Sequence, residues 1–301
     1  MNRPRIAVVG SLNMDLVLSM QAMPRTGETV QAERIHYIPG GKGANQAIGC
    51  ARLGAQTAMI GAVGADAFGR QLTDQLLQNG VSDHIARLEG TATGTAAIFH
   101  TPQDNCIAIV PGANALCSPE LVASRRDVIG KAAVLLVQLE IPLETVRQAL
   151  AMARSAGVKT VLNPAPAMPL PEAVLRMADI LTPNETEFAA LCQMEHIPDT
   201  DLERHMCGWE RRYGHRLVVT RGAAGCAYLE DGTLVTVPAP RVNVVDTTGA
   251  GDAFNAALGF AIASGWPIAR AAAFAIRAAS LSVTRFGAQD GMPTMSQVVE
   301  H

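Results

Sequence analysis

The sequence predicts an α/β fold: a doubly wound, mostly parallel sheet flanked by helices. Three observations carry this prediction. Short apolar runs alternate with amphipathic helical patterns, polar residues follow several of the apolar runs, and 49% of the 301 residues are hydrophobic. Buried β runs alternating with helices are typical of parallel sheets. A chain of this length and composition can also bury a substantial core.

The elements follow in order along the chain. Strands are predicted at 5–10, 56–64, 132–138, 158–164, 178–184 and 215–222. Helices are predicted at 43–54, 68–80, 142–157, 200–214, about 251–264 and about 267–283. Gly54 and Gly80 stand where two of these helices should end, because glycine is the preferred residue just past a helix C-terminus.

Two stretches interrupt the alternation, residues 15–39 and residues 93–114. Both carry apolar residues at alternating positions with turn residues between them, which predicts hairpin-type strands. We expect them to form a small β lid beside a ligand site, and the rest of the chain (1–14, 40–92 and 115–301) to form the core. An antiparallel edge of the main sheet is the alternative for these strands.

Composition and charge argue against several classes of protein. The formal net charge is −3 and no basic run is present, which speaks against a nucleic-acid partner. No apolar run is long enough to cross a bilayer. The first apolar segment is short and interrupted by Asp15, unlike a signal peptide. The six scattered cysteines contain no C-x-x-C pair and predict free thiols in a cytoplasmic protein.

Polar residues follow the predicted strands, which is where ligands bind in doubly wound sheets, beyond the carboxyl ends of the strands. These candidate residues are Asn13, Asp15, Glu140, Asn163, Asn184, Thr220 and Asp246.

The stretch VDTTGAGDAF (245–254) places Asp252 where a long apolar helix begins. A helix start offers free N–H groups and a partial positive charge, so it suits a phosphate or a developing anion. The acid is either an ordinary helix N-terminal charge or a group that accepts a proton from an attacking alcohol. The second interpretation predicts a kinase that phosphorylates a hydroxyl.

A second glycine turn, PGGKGANQA (39–47), also opens a helix. Its spacing matches neither a Walker A loop nor a dinucleotide-binding fingerprint, which disfavours a dehydrogenase. Gly41 and its neighbours allow a ligand to approach the backbone closely, and Lys42 and Asn45 supply polar groups. Taken alone, this pattern indicates only a site for a polar small molecule.

Two further motifs allow a structural and a functional interpretation. In LTPNETE (181–187), Asn184 and Glu187 suit either a capping box or a Mg²⁺ ion that bridges nucleotide phosphates. Spacing alone favours the cap. VTRGAAG (219–225) suits either a tight hairpin turn or a site for phosphate or ribose, and the motif alone favours the turn.

These pieces occur together in an order that resembles the ribokinase-like (PfkB) carbohydrate kinases. GGKGANQA and DTTGAGDAF are similar to the two signatures of that family. VGADAFG, QLEIPLETV, LNPAPA, TPNETE and FGAQ follow the family pattern in order and spacing, so the resemblance covers nearly the whole chain. It implies a ribokinase-like fold and ATP-dependent phosphorylation of a sugar's primary hydroxyl, the 5-hydroxyl in the case of D-ribose. It also favours the functional interpretation of both ambiguous motifs.

The resemblance also implies roles for individual residues. Asp252 would be the base, and Gly249, Ala250 and Gly251 would form an anion hole. The sugar would be bound by Asn13, Asp15, Gly41, Lys42, Asn45 and Glu140. The ATP site would be lined by Asn184, Thr220, Gly222 and Gly225, with Glu187 acting through Mg²⁺. A K⁺ site, built largely from carbonyls, would include Asp246, Thr248, Ser282, Arg285, Gly287 and Gly291. The lid strands would pair two subunits into a homodimer.

Two positions depart from the family pattern. Gly291 stands where the family usually offers a serine hydroxyl to the cation, so K⁺ activation depends on the remaining ligands. Ile276 stands where a polar residue commonly lies near adenine. The alternatives that stay open are a kinase for 2-deoxyribose, another pentose or a nucleoside, and a non-catalytic sensor of sugar or nucleotide.

Overall fold

A computed structural model of the chain describes residues 3–101 and 103–300. Positions 1, 2, 102 and 301, which fall within the predicted core and lid segments, lie outside the described residues. The described part contains two sheets, one of nine strands and one of four.

The large sheet is ordered β13-β12-β11-β10-β9-β8-β1-β4-β5 and is parallel from β11 to β5. Its strands are β1 (Arg5–Val9), β4 (Gln56–Gly64), β5 (Ser82–Leu88), β8 (Val134–Val137), β9 (Lys159–Leu162), β10 (Ile180–Leu181), β11 (Arg216–Thr220), β12 (Cys226–Glu230) and β13 (Thr233–Val237). The last two strands pair antiparallel at one edge. The predicted doubly wound, mostly parallel sheet is therefore confirmed.

The helices cover both faces of this sheet. They are α1 (Lys42–Arg52), α2 (Ala67–Gln78), α3 (Pro119–Ala123), α4 (Arg126–Gly130), α5 (Leu143–Ser155), α6 (Glu172–Leu175), α7 (Glu185–Leu191), α8 (Asp199–Tyr213), α9 (Ala250–Ala263), α10 (Ile268–Ser282), α11 (Ala288–Gly291) and α12 (Met295–Glu300). Two 3-10 turns lie at Gly112–Leu116 and Gly222–Ala224. None of the helices in the described ranges combines the length and apolarity that a membrane span requires.

Two apolar cores lie on opposite faces of the sheet because successive strand residues point to opposite sides. Along β1, Ile6 and Val8 join the core that contains α1, α9 and α10, whereas Ala7 and Val9 join the core that contains α5 and α8. Strands buried on both faces read as continuous apolar runs, which is why VLLV and RIAVV predicted strands correctly.

The small sheet, which we call the second sheet, is ordered β3-β2-β6-β7. Its strands are β2 (Asn13–Ser19), β3 (Arg34–Gly40), β6 (Gly94–His100) and β7 (Asn105–Val110). β2 pairs antiparallel with β3 and parallel with β6, and β6 pairs antiparallel with β7. The two interrupting stretches thus form a separate sheet, not an edge of the large one.

The strand order indicates at which end of the large sheet a ligand site is expected. From β1 the chain proceeds to β4 and β5 on one side, whereas β8 pairs with the other side of β1. Such a switch opens a crevice beyond the carboxyl ends of the two strands. The N-termini of α1 and α9, which pack against each other, meet at this crevice through side chains of both helices.

Candidate active site

Asp252 lies in the first turn of α9, as the sequence predicted, and its side chain is only 5% exposed. The turn depends on Gly249, the N-cap, whose φ of 78° is in the left-handed region. A Cβ at Gly249 would also lie 2.7 Å from the Cβ of Ala288. Glycine is therefore required at position 249 for two reasons, the positive φ and the close contact with Ala288. The tight turn brings Asp252 to the base of the crevice.

Both carboxylate oxygens of Asp252 accept hydrogen bonds from α1. The Asn45 amide donates to Oδ2 over 2.9 Å, and the Gln46 amide donates to Oδ1 over 3.0 Å. The Oδ1 atom of Asn45 is buried and has no partner among the described residues. A buried acceptor left free at a crevice is suited to a ligand hydroxyl, because leaving it unpaired costs free energy.

Lys42 provides the positive charge of the crevice. Burial by itself lowers the pKa of Lys42, but the carboxylates of Asp252, Glu140 and Glu187 outweigh this effect and raise it. Burial raises the pKa of Asp252, although Lys42 and the two amide donors favour the ionised form. The crevice therefore places one ammonium group among three acids.

The residues expected to bind sugar surround this acid. Asn13 and Asp15 lie on β2, and the backbone N–H of Lys42 donates to Glu140 Oε2 over 3.1 Å. Gly41 has a φ of 89°, and a Cβ there would lie 2.7 Å from the backbone nitrogen of Asn13. The structure thus brings all six predicted sugar-site residues to one region, with Asn45 and Lys42 on α1.

Asp15 is an unusual carboxylate. Burial, followed by the negative charges of Glu140 and Asp252, raises its pKa to about 7. It lines a cavity of about 410 Å³ between the second sheet and the loop before α9. This cavity is bordered on the loop side by Asp246, Thr247 and Thr248.

A smaller cavity of about 200 Å³ is lined by Asp252 itself. Its lining includes the three residues predicted to form an anion hole, Gly249, Ala250 and Gly251, together with Lys42, Asn163, Asn184, Glu187 and Thr220. The two glycines predicted to line the ATP site, Gly222 and Gly225, are not part of this lining. Gly222 begins the 3-10 turn after β11, and Gly225 follows that turn. Thr220 is joined to the start of α7 by its backbone N–H, which donates to Pro183 O over 2.9 Å.

The structural interpretations of the two ambiguous motifs are confirmed. Asn184 caps α7 by accepting from the Glu187 N–H over 2.7 Å, and Glu187 accepts from the Asn184 N–H over 2.9 Å, so the pair is a capping box. Residues 219–225 join β11 to the antiparallel β12. Because Asn184 and Glu187 also line the cavity, the cap does not exclude a ligand there. Burial raises the pKa of Glu187.

The loop before α9 is organised by Asp246. Its Oδ1 accepts from the N–H and hydroxyl of Thr248 over 2.9 and 2.7 Å, and its Oδ2 accepts from the N–H of Gly287 over 2.9 Å. Burial alone would raise the pKa of Asp246, but these hydrogen bonds lower it. Ser282 and Arg285 lie at the end of α10 and just beyond it, and Gly291 ends α11.

The side chains around the smaller cavity limit which ions could bind there. Among the described residues, no three His, Cys, Asp or Glu side chains come together as a metal cluster. A single acid, Glu187, beside an amide fits Mg²⁺, which usually keeps several waters and binds through one or two carboxylates plus phosphates. The loop around Asp246 offers that carboxylate, whose two oxygens already accept three hydrogen bonds.

Two buried glutamines that connect to Asp252 were not predicted from the sequence. Gln46 contacts the acid directly, and the Gln138 amide donates to Gln46 Oε1 over 2.6 Å. Both are essentially fully buried. The only sequence signal was that Gln46 stands in the glycine motif and Gln138 ends an apolar strand.

Comparisons with known proteins agree with this geometry. The family model described as pfkB family carbohydrate kinase matches residues 3–295. A ribokinase of Bacillus subtilis (strain 168) is 42% identical over 296 residues, 98% of each chain. A deoxyribokinase of Salmonella typhi is 34% identical over 303 residues, again 98% of each chain.

Among solved structures, a ribokinase of Arabidopsis thaliana complexed with ribose and ATP superposes with a TM-score of 0.93 at 32% identity. The match covers 99% of this chain and 98% of that one. Because the family model covers nearly the whole chain and the relatives exceed 30% identity over their full length, the chain belongs to the pfkB family of carbohydrate kinases, which phosphorylate a sugar hydroxyl.

Proposed function

We propose that this protein transfers the γ-phosphate of ATP to the 5-hydroxyl of D-ribose. The observation that carries the proposal is the Asp252 carboxylate, which is buried at the start of α9 and lines the cavity that contains the glycine turn. Asp252 is also close enough to Asp15, which lines the cavity beside β2, to raise the pKa of that carboxyl. The similarity to the Arabidopsis thaliana ribokinase, whose structure holds ribose and ATP, supports both substrates.

The sugar would lie on the β2 side of Asp252. Asn13, Asp15 and Glu140 offer acceptors for its hydroxyl groups, and the free Oδ1 of Asn45 offers another. Gly41 lets the turn before α1 pass close to the backbone of Asn13, which keeps its own backbone on the sugar side. Lys42 supplies a positive charge close to the transferring group. In this arrangement the 5-hydroxyl donates its hydrogen bond to Asp252.

The transfer then breaks the bond between the γ-phosphorus and its bridging oxygen and forms a bond from the sugar oxygen to that phosphorus. Asp252 accepts the hydroxyl proton as the new bond forms, and ADP leaves with the bridging oxygen. The N–H groups of Gly249, Ala250 and Gly251 stabilise the charge on the transferring group. Because the Ala250 N–H donates to Thr247 O over 3.2 Å, Ala250 must share or release that bond to take part.

The nucleotide would occupy the side of Asn184, Thr220, Gly222 and Gly225. Glu187 would hold Mg²⁺ through water, and this ion supplies neutralisation of phosphate charge when bound. Asp252 and Glu187 each disfavour the other's ionised form, so a cation between them would ease ionisation of both. Ile276 is buried on α10, so it offers adenine an apolar contact at most.

The test replaces Asp252 with Asn. This variant keeps the shape of the side chain but cannot accept the proton, so kcat should fall by about two orders of magnitude or more while ATP still binds. ADP release with ribose measures kcat, and thermal unfolding checks the fold. Asp74→Asn, at an exposed site on α2, is the control. Turnover within a few-fold of the parent would remove Asp252 from this role.

Phosphorylation of 2-deoxyribose is the second candidate, because a deoxyribokinase of Salmonella typhi is 34% identical over the same length. A site built to bond the 2-hydroxyl should reject the deoxy sugar strongly, since it leaves a buried partner unpaired. Comparing kcat/KM for ribose, 2-deoxyribose, other pentoses and nucleosides decides between them. Binding without ADP release from any of them would instead indicate a sensor.

The proposal includes a homodimer formed through the second sheet, in the cytoplasm. Ile107 and Ile109 on the edge strand β7 are 52% and 56% exposed, and the strand register puts them on the same face as Val17 and Asp15. A second copy packed there would cover both the apolar side chains and the sugar cavity. The six cysteines are all free, as expected in a reducing compartment.

Ile107→Asp should therefore produce a monomer and raise the KM for ribose. Ile35→Asp, at an exposed isoleucine on the opposite face of the same sheet, is the matched control. Sedimentation velocity measures the oligomeric state. A parent protein that sediments as a monomer would overturn this part of the proposal.

The last part of the proposal is a K⁺ ion near Asp246. The carboxylate of Asp246 and the carbonyls of Thr248, Ser282, Arg285 and Gly287 are its expected ligands, whereas Gly291 offers no side chain. An ion in this loop would order residues 246–251 and so act on kcat.

A further inference from the structure

A chain of buried amides reaches Asp252 from the end of β8. The Gln138 Nε2 atom donates to Gln46 Oε1 over 2.6 Å, and the Gln46 Nε2 atom donates to Asp252 Oδ1 over 3.0 Å. The same Nε2 atom also donates to Asn163 Oδ1 over 3.3 Å. Gln138 and Gln46 are 0% and 1% exposed.

The direction of this chain is fixed by chemistry. An ionised carboxylate can only accept hydrogen bonds, so the NH₂ group of Gln46 must face Asp252. Its carbonyl oxygen then points away and needs a donor, which Gln138 supplies. If Gln46 turned over, its oxygen would face the Asp252 oxygen and the two would repel.

Gln138 lowers the stability of the folded protein through one of its side-chain atoms. Its Oε1 atom is buried and has no partner among the described residues. An apolar side chain would avoid the cost of that unpaired acceptor. Gly10 provides the space for the amide, since a Cβ at Gly10 would lie 2.2 Å from Gln138 Oε1. The geometry therefore favours the single donated hydrogen bond as the reason for this glutamine.

Gln46 and Gln138 are more deeply buried than the predicted sugar-site residues Asn13 and Asn45, at 1% and 0% exposed against 5% for each of these. Neither glutamine lines the cavity that contains Asp252. An effect of the two glutamines on the reaction must therefore pass through groups that line this cavity. Gln46 donates a hydrogen bond to two such groups, Asp252 and Asn163.

We propose that Gln46, oriented by Gln138, is a positioning residue that fixes the carboxylate of Asp252 for proton acceptance. This inference rests on the proposed role of Asp252 as the base. With one oxygen held by Gln46 and the other by Asn45, the carboxylate plane cannot rotate freely. The Gln46 donor also favours the ionised form over the protonated form.

The charged groups that face Asp252 are Lys42 on α1, Asp15 on β2, Glu140 after β8 and Glu187 on α7. Lys42 favours ionisation of Asp252, and the three acids oppose it. Loss of the Gln46 donor leaves all four in place, so the pKa of Asp252 should rise. The acid limb of the kcat profile should then move to higher pH.

The test uses Gln46→Met, which removes the donor and keeps the length of the side chain, and Gln138→Met, which removes the orienting group. Gln46→Met should lower kcat by roughly tenfold or more, the range for losing a hydrogen bond to a charged group. The KM values for ribose and ATP should change much less. Gln138→Met should act in the same direction, and the double variant should resemble Gln46→Met alone, because Gln138 acts through Gln46.

Thr145→Val is the control for losing a buried hydrogen bond elsewhere: Thr145 is 0% exposed and its hydroxyl donates to Cys117 O over 2.6 Å. It should lower the unfolding temperature without moving the pH profile of kcat.

The inference is overturned if the glutamine variants change only stability, if their effects on kcat multiply independently, or if KM for ribose rises as much as kcat falls. If Gln46→Met does not fold, Gln138→Met decides by the same readouts. An active Asp252→Asn would instead refute the proposed function.

Discussion

Gly291 lies against the backbone of Ser282, so that a Cβ built on Gly291 would come within 2.6 Å of the Ser282 carbonyl oxygen. A side chain can enter only if one of the two segments moves. The Ser282 carbonyl is itself an expected ligand of the monovalent cation. A serine at position 291 therefore cannot simply add a hydroxyl to an otherwise unchanged site.

We therefore expect two opposed effects from substitutions at Gly291. Gly291→Ala should raise the K⁺ concentration for half-maximal kcat, because its Cβ displaces the Ser282 carbonyl. Gly291→Ser carries the same Cβ and a hydroxyl that can bind the ion, so it should need less K⁺ than Gly291→Ala. The measurement is rate against K⁺ at constant ionic strength, balanced with a large organic cation to separate binding from screening. Identical curves for the two variants would show that the serine hydroxyl does not reach the ion. If neither the parent nor either variant responds to K⁺, the proposal of a K⁺ site is wrong.

The raised pKa of Asp15 predicts that ribose binding depends on pH near neutrality. Sugar hydroxyls donate to the ionised carboxylate, and the pKa of about 7 means that half of the sugar-free protein is protonated there. If only the ionised form binds well, the KM for ribose should rise roughly tenfold from pH 8 to pH 6. Asp15→Asn should have a higher KM with a flat profile. A flat profile in the parent would show that Asp15 does not bind the sugar through its charge.

The same carboxyl predicts a conflict between binding and stability. The pKa of Asp15 is 3.8 in the unfolded chain and about 7 in the folded one, so the folded state holds its proton more tightly. The ionised group lowers stability increasingly as the pH rises from 3.8 to 7, and the loss is complete above that window. Asp15→Asn should therefore raise the unfolding temperature of the sugar-free protein at pH 8, by about 3 °C or more, and less at pH 5.

The control for this comparison is Asp74→Asn, whose carboxylate is exposed. Its unfolding temperature should follow that of the parent at both pH values. An Asp15→Asn protein that is no more stable than the parent at pH 8 would contradict the raised pKa.

The sequence predicted the architecture well where an element is buried on both faces or begins at a glycine turn. β1 and β4 are continuous apolar runs, and α1 and α9 each follow closely spaced glycines. β5 was missed because its sequence SDHIARL is polar at most positions and half-buried at the sheet edge. The hairpin turn predicted at 219–225 implied a strand after β11, but the bounds of β12 and the whole of β13 were not predicted.

The sequence was sufficient to predict Asp252 as a site residue. It was not sufficient to predict Gln46 and Gln138, which form the chain of hydrogen bonds that ends at Asp252. Asp252 could be found because a helix start and a glycine turn are local features of the chain. The hydrogen bond between Gln138 and Gln46 joins residues 92 positions apart, and Gln46 meets Asp252 across 206 positions. Such contacts depend on how α1, β8 and α9 pack, which no single stretch of sequence encodes.

His215 provides a separate prediction about stability in acid. It lies 4% exposed beside Trp209, whose indole N–H donates to His215 Nε2 over 2.7 Å, while His215 Nδ1 lies 3.0 Å from Leu175 O. Only the neutral ring, with its proton on Nδ1, satisfies both contacts. Burial lowers the pKa of His215 from 6.5 to about 4, despite the opposing hydrogen bond to Leu175.

The unfolded chain therefore takes up a proton at His215 below pH 6.5, whereas the folded protein resists it until about pH 4. Stability should fall as the pH decreases through this window, by up to about 3 kcal/mol. His215→Phe loses both hydrogen bonds and should be less stable at pH 7, but its free energy of unfolding should fall less between pH 6.5 and pH 4. Denaturant unfolding followed by tryptophan fluorescence measures both values. His196→Gln, at an exposed histidine, should keep the slope of the parent. If His215→Phe also keeps that slope, then His215 is not the group that titrates.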